Sequence, residues 1–195
     1  LGQIFKNLDG LQMEQRQWVT FFSQTGGEIC DLGERLGRWP DKIVTNKRPE
    51  NLRTIDPRII DNVEDRLIIL ENKPSVEEYF KITKGLKHPI ITLHGWLRIV
   101  PPEFIERYPH SIYNGHPGLI TEYPELKGKD PQVRAFEGKY PVAGAVIHKV
   151  VEGVDEGKVI MEERFNAWNL ELDDLFRILR DRSLYMWCNL LRKVL

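Results

Sequence analysis

Five short runs rich in β-branched and aromatic residues divide the first 114 residues: Trp18–Ser23, Asp41–Asn46, Arg66–Leu70, Pro89–His94 and Ser111–Asn114. Runs of this length and composition read as buried strands. Most of the intervals have a helical character. Glu28–Leu36 carries apolar residues at Ile29, Leu32 and Leu36, with Gly37 placed to cap the end and Pro40 just beyond. Ser75 caps a helix that reaches about Gly85, with Glu77 and Glu78 in its first turn, where acids suit the helix dipole. A short helix follows over Pro101–Tyr108. Only Arg48–Asp65, with Pro49 and Pro57, reads as irregular or weakly helical. Alternation of this kind predicts right-handed βαβ units: an α/β, Rossmann-like, mostly parallel sheet with helices on both faces.

The last third breaks the pattern. Val142–Val150 and Lys158–Phe165 read as strands separated only by Val151–Gly157. That gap is too short for a helical crossover, so the pair is expected to be an antiparallel hairpin. Glu171–Leu195 is a long amphipathic helix whose stripe includes Leu172, Leu175, Phe176, Leu179, Met186, Trp187, Leu190 and Val194.

Composition removes several function classes. With 28 Lys and Arg against 29 Asp and Glu, the net charge of −1 leaves no basic footprint for nucleic acid. No apolar run approaches a membrane span, and Lys6, Asn7 and Asp9 interrupt any signal-peptide core. Cys30 and Cys188 form no zinc-type spacing, and no metal site is expected. A reduced, cytoplasmic setting is the simpler expectation. The chain opens on Leu1, and Met13 is a candidate natural start, so residues 1–17 are expected to be an N-terminal extension and 18–195 the functional domain.

Chemistry concentrates in Asn114-Gly115-His116-Pro117 and, later, Val154-Asp155-Glu156-Gly157. An amide donor, an imidazole and a carboxylate are three parts of an acyl-transfer site. Asn114 and His116 lie at and just past the end of a predicted strand, and Asp155 lies in the hairpin loop. Ligands of such sheets bind beyond those strand ends. Alone, Asn-x-His-Pro also reads as a polar turn.

The surroundings add a resemblance. His94-Gly-Trp-Leu-Arg-Ile-Val-Pro-Pro-Glu-Phe104, Ile112-Tyr-Asn114-Gly-His116-Pro-Gly-Leu119, and Val142–His148 with Val154–Ile160 are similar, in order and spacing, to three motifs of folate-dependent formyltransferases. The likeness runs from about Trp18 to the C-terminus and is specific from His94 to Ile160. It is nearest to the single-domain phosphoribosylglycinamide type. It implies 10-formyltetrahydrofolate as co-substrate and a small-molecule primary amine as acceptor. Asn114 and a protonated His116 would donate to the tetrahedral oxyanion. Asp155 would keep that imidazole charged and accept the amine's proton. Main-chain groups of Leu97, Arg98 and Val100 would meet the pteridine, with Val151, Glu152 and Val154 closing the other side. His148 is read as supporting the loop, and His88, His94 and His110 as structural or exposed.

The same resemblance places acceptor contacts at Thr25, Gly26, Gly27, Pro117 and Asp181. A glycine turn at a helix start offers amides to an anion. Here Glu28 stands where the phosphoribosylglycinamide type has Asn, and a carboxylate there would repel phosphate. Asp181 lies opposite the apolar stripe of its helix and is expected to face water. The resemblance contrasts this chain with methionyl-tRNA formyltransferases, formyltetrahydrofolate hydrolases and amino-sugar N-formyltransferases, which carry further domains or extensions. An amino-sugar or nucleotide-linked amine, hydrolysis of the formyl donor, and folate binding without turnover stay open, as does a homodimer.

Overall fold

A computed structural model describes residues 15–195; Met13 and the segment before it lie outside the described residues. Strands β1 (Trp18–Phe22), β2 (Lys42–Thr45), β3 (Leu67–Ile69), β4 (Ile90–Leu93), β5 (Ile112–His116), β6 (Val142–Lys149) and β7 (Val159–Asn166) form one sheet in the order β3-β2-β1-β4-β5-β6-β7. β1 to β5 pair in parallel, and β5–β6 and β6–β7 pair antiparallel. The expected α/β architecture and its terminal hairpin are both present.

Among the described residues six α-helices accompany the sheet: α1 (Gly27–Leu36), α2 (Pro57–Val63), α3 (Val76–Thr83), α4 (Pro102–Arg107), α5 (Pro131–Glu137) and α6 (Leu172–Val194). On one face Trp18, Ile90 and Tyr113 pack with Leu32 of α1 and with Leu184 and Trp187 of α6. On the other, Phe21 and Ile91 pack with Tyr79 of α3 and Phe104 of α4. All five residues of β1 are buried, as a strand covered on both faces requires. Local rules set the ends of the helices. Ser75 and Glu78 form a reciprocal capping box on α3, and Gly37, at φ 62°, closes α1.

Three local features go beyond the expectations. Arg48–Asp65 holds a 3₁₀ turn at Pro49–Thr54 and then α2, whose first turn is capped by the Asp56 carboxylate accepting from the Arg58 N–H at 3.0 Å. α5 was not anticipated, although Pro131 at its start and Gly138 after its end are ordinary helix boundaries. β5 runs to His116, because β6 supplies hydrogen-bond partners as far as the His116–Val146 pair. Asn114 and His116 therefore lie within the strand, not past its end. Among the described residues no helix is long and apolar enough to cross a membrane.

Candidate active site

Strand geometry assembles the site. Residues two apart on a strand share a face, so β5 presents Asn114 and His116 together. The antiparallel register sets His148 of β6 directly opposite Asn114. The loop from β6 to β7 then turns back over these residues. Gly157 permits that return, since a side chain there would run into the Lys149 carbonyl. Asp155, at φ 52°, occupies the left-handed region, which Asp tolerates better than most residues.

The Asp155 carboxylate is the hub. Its Oδ1 lies 3.3 Å from Asn114 Nδ2 and 3.1 Å from His148 Nε2. Its Oδ2 lies 3.2 Å from His116 Nδ1 and accepts from the Gly128 N–H at 2.8 Å. Asn114 Nδ2 is also 3.1 Å from His148 Nε2. The second nitrogen of each imidazole faces a carbonyl: His116 Nε2 is 2.9 Å from the Leu126 oxygen, and His148 Nδ1 is 2.9 Å from the Lys149 oxygen. Each ring thus has an acceptor at both nitrogens, while a neutral imidazole carries a single N–H. The cluster is short of protons for its own hydrogen bonds, and an added proton would complete one.

Burial opposes that proton. It is the largest influence on His116, which is 5% exposed, and it pulls the imidazole below its ordinary pKa. Asp155 and the Leu126 carbonyl pull upward without winning, while His148 and Arg134 add to the depression. For Asp155, burial pushes the carboxyl up. The hydrogen bond to His148, the charge on His116 and the Gly128 N–H outweigh it and hold the group below the usual carboxylate range. The two partners make different demands, because a charged His116 is part of what keeps Asp155 low. An ionised Asp155 beside a neutral resting His116 fits the burial of the imidazole. The expectation that Asp155 keeps His116 charged at neutral pH is corrected accordingly: desolvation exceeds the attraction of the carboxylate.

Two loops flank this cluster. After β4, Trp96 is buried and donates through Nε1 to the Tyr79 hydroxyl at 3.0 Å, which anchors the segment that follows. Leu97 and Ile99 are exposed, Ile99 to 75%, whereas Val100 is buried. The Leu97 N–H is already held by Ser23 Oγ and its carbonyl by the Arg98 guanidinium. Among the described residues the main-chain groups of Arg98 and Val100 have no hydrogen-bond partner. After β6, Val151, Glu152 and Val154 are exposed, and Val150 packs on the cluster that contains Trp96 and Val100. Four exposed apolar side chains, Leu97, Ile99, Val151 and Val154, thus lie on two loops beside the carboxylate hub. Among the described residues no group of three or more His, Cys, Asp or Glu side chains is arranged to hold a metal ion.

Comparison with known proteins bears on this geometry. The family described as formyl transferase matches residues 46–176, a span containing β3 to β7 and every member of the Asp155 cluster. The chain belongs to the formyl transferase family. Within that family it is 30% identical over 106 residues to a formyltetrahydrofolate deformylase of Escherichia coli, covering 54% of this chain and 37% of the relative. It is 34% identical over 96 residues to a phosphoribosylglycinamide formyltransferase of Bacillus subtilis, covering 48% of this chain and 47% of the relative. The matches thus span less than half the length of these relatives. A crystal structure of phosphoribosylglycinamide formyltransferase from Anaplasma phagocytophilum shares the fold at a TM-score of 0.77 and 19% identity, covering 90% of this chain and 85% of that one.

In this family member the glycine turn after β1 is closed. Gly26, at φ 78°, is packed so that an added methyl would meet Ile59 and the Phe22 ring. The Gly27 N–H donates to Thr25 Oγ1 at 3.3 Å, and the Asp56 main-chain N–H donates to the Thr25 carbonyl at 2.8 Å. Arg58 pairs with Asp56, Asp31 and Glu34, and Arg180 pairs with Asp31 at 2.5 Å. The Glu28 carboxylate turns inward, 2.7 Å from His94 Nδ1, and accepts from the Ser183 hydroxyl at 2.6 Å. Burial would raise Glu28, but His94 first, then Ser183 and Arg180, hold it low. His94 is therefore structural, as expected. Pro117 is half-buried directly after His116, whereas Asp181 is exposed on α6. The structure thus brings Asn114, His116 and Asp155 together and leaves Asp181 outside the cluster.

Sequence reasoning read His148 only as a support for the loop and overlooked the Leu126 carbonyl and Gly128 N–H. No pattern in the sequence marks those main-chain groups. The Asn114–His148 pairing was not marked either, because β5 and β6 are joined through residues 117–141, which include α5, and no short turn fixes their register.

Proposed function

We propose that this protein transfers a formyl group from 10-formyltetrahydrofolate to a primary amine, with Asn114, His116 and Asp155 as the catalytic residues. One observation carries this reading: a single ionised carboxylate joins an amide donor and a proton-deficient imidazole, with a second imidazole beside them, at the strand end next to exposed apolar loops. Formyl transfer needs that set. The amine attacks the formyl carbon and builds an oxyanion, and Asn114, the half-buried member, is the donor that reaches it. The amine sheds one proton as the new C–N bond forms, and the folate nitrogen gains one as the old bond breaks. His116 takes the proton from the amine and returns it, and Asp155 stabilises the imidazolium while it exists. For the ring to reach substrate, the Leu126 carbonyl must leave His116 Nε2. The flat face of the pteridine suits Leu97, Ile99, Val151 and Val154, and the unpaired main-chain groups of Arg98 and Val100 suit its polar edge.

Phosphoribosylglycinamide is the default acceptor to test, given the B. subtilis relative and the shared fold. The E. coli relative supports a second reading, hydrolysis of the formyl donor with water as acceptor. The assay follows tetrahydrofolate release from 10-formyltetrahydrofolate with and without a panel of amines, phosphoribosylglycinamide and amino sugars included. Release that requires an amine is the expected result. Equal release without one establishes hydrolysis, and binding without release removes both reactions.

A further inference from the structure

The segment from Glu125 to Lys129 brings two main-chain groups onto the His116–Asp155 pair, yet it belongs to no strand. The Leu126 carbonyl lies 2.9 Å from His116 Nε2, and the Gly128 N–H donates to Asp155 Oδ2 at 2.8 Å. Gly128 sits at φ 82°, a left-handed turn that glycine enters without strain. A segment without a sheet partner needs another anchor to hold these two groups in place.

One side chain supplies it. Arg134 of α5 donates through Nη1 to the Glu125 carbonyl at 2.5 Å and through Nε to the Lys129 carbonyl at 3.0 Å. Its Nη2 donates to the Leu126 carbonyl at 3.1 Å and to the Lys127 carbonyl at 2.7 Å. Four consecutive directions of one planar fork are thus filled by main-chain oxygens, out of the five N–H groups a guanidinium carries. Among the described residues the carbonyls of Glu125, Lys127 and Lys129 have no other hydrogen-bond partner. A lysine could not replace this grip, because its ammonium is a single point with three donors. The next residue of α5, Ala135, shares an apolar cluster with Leu126, Ile120 and Val146, so the helix holds the segment by side chain as well as by backbone.

The Leu126 carbonyl is common to both attachments: it accepts from Arg134 and faces His116. A carbonyl oxygen has two lone pairs, so the Arg134 bond stays when the imidazole turns to substrate, and no orphaned acceptor is left behind. Burial first, and then the charges of His148 and Arg134, also keep His116 below its ordinary pKa, in the neutral form that accepts a proton.

We infer that Arg134 is a positioning residue for the reaction: it carries the Glu125–Lys129 segment, so that the Leu126 carbonyl and the Gly128 N–H hold His116 and Asp155 in place while His116 stays free to exchange that carbonyl for substrate. This rests on the formyl-transfer reading, in which the pair moves the proton, and adds a residue hydrogen-bonded to neither member of it.

The test compares Arg134→Lys with His116→Leu in the full chain, with circular dichroism to verify the fold. Amide hydrogen exchange at Gly128 reads the segment without any substrate. Arg134→Lys should speed it about tenfold, whereas His116→Leu should leave it within about twofold, because the segment hangs on the guanidinium and not on the imidazole. The ring-nitrogen NMR signals of His116 should move in Arg134→Lys. In the transfer assay kcat should fall about 10²-fold, as for a misplaced catalytic group, with the KM of both substrates within about twofold. Arg134→Gln, a second variant that loses the fork, should give the same pattern. Gly128 exchange and His116 signals unchanged in both Arg134 variants would overturn the inference. So would a loosened segment with full kcat, or exchange that rises as much in His116→Leu. A wild-type protein that formylates no amine would overturn the proposed function instead, and the Gly128 and His116 signals would still decide whether Arg134 holds the pair.

Discussion

The Asp155 cluster and the Thr25–Glu28 turn are both polar, and both sit at strand ends of one sheet, yet they are built on opposite plans. At the turn the charged donors meet acceptors: Arg58 and Arg180 meet carboxylates, while Ser183 meets Glu28 and Gly27 meets Thr25. In the Asp155 cluster the acceptors exceed the protons, because each imidazole faces acceptors at both nitrogens. A satisfied network holds structure, whereas an under-protonated one is poised to take a proton. The difference teaches that polarity at a strand end does not by itself mark chemistry; an unfilled donor or acceptor does.

The sharpest way to break the contrast is Asp155→Asn. It keeps the size of the side chain and a residue that accepts φ 52°, but removes the hub's charge. Transfer should fall by about 10² to 10⁴, the range for a lost acid–base group. Circular dichroism should show an intact fold. Near-normal turnover in the folded variant would remove Asp155 from the mechanism. Asn114→Ala should follow with a loss of about 10² to 10³, as for one oxyanion donor. A change confined to KM would make Asn114 a binding residue only.

How far the sequence displayed these regions follows from their physics. The parallel sheet was readable because strands buried on both faces are written as short apolar runs, as in Trp18–Phe22. Asn114, His116 and Asp155 were readable as residue types at strand ends. Their proton shortage was not, because it depends on the Leu126 and Lys149 carbonyls, and every residue carries such a group. Glu28 shows the opposite failure. From sequence it was a charge set against phosphate at the turn, but in the structure its carboxylate points inward to His94 and Ser183. Direction, unlike identity, is set by packing between elements far apart in the chain.

Glu28 supplies the next test, on stability. Glu28→Gln leaves the buried His94 without its anionic partner and should cost about 2 kcal/mol, read as a lower urea midpoint. No shift in the midpoint would mean that the pair contributes nothing net, as some buried pairs do. A pH series sharpens the same comparison. Asp155, Glu28 and His116 are all held below their ordinary values, so the folded chain binds fewer protons than the unfolded one. Their stabilising contribution is present above the unfolded pKa values and is lost as pH falls. The decline should begin near pH 6.5 through His116 and continue near pH 4 through the carboxylates. His116→Gln should remove the first stage and keep the second. A midpoint that rises from pH 8 to pH 5 would contradict the direction of the His116 shift, and one that rises from pH 5 to pH 3 would contradict those of the carboxylates.

The smallest expected effect belongs to Arg58. Its guanidinium spans Asp56, Asp31 and Glu34, but its side chain is 33% exposed, and water screens such pairs. Arg58→Met also leaves Asp56 and Asp31 near the start of α1, where the helix dipole favours negative charge and offsets part of the loss. The net cost should be about 1 kcal/mol or less in urea unfolding, with the acceptor's KM unchanged. The KM is the informative half of the measurement. If Arg58→Met raises it severalfold while the fold holds, then Arg58 exchanges its carboxylate partners for substrate, and the turn belongs to the acceptor site. The division between a structural turn and a chemical strand end would then fail at its weakest joint, an ion-pair network on the surface that a bound anion is able to reopen.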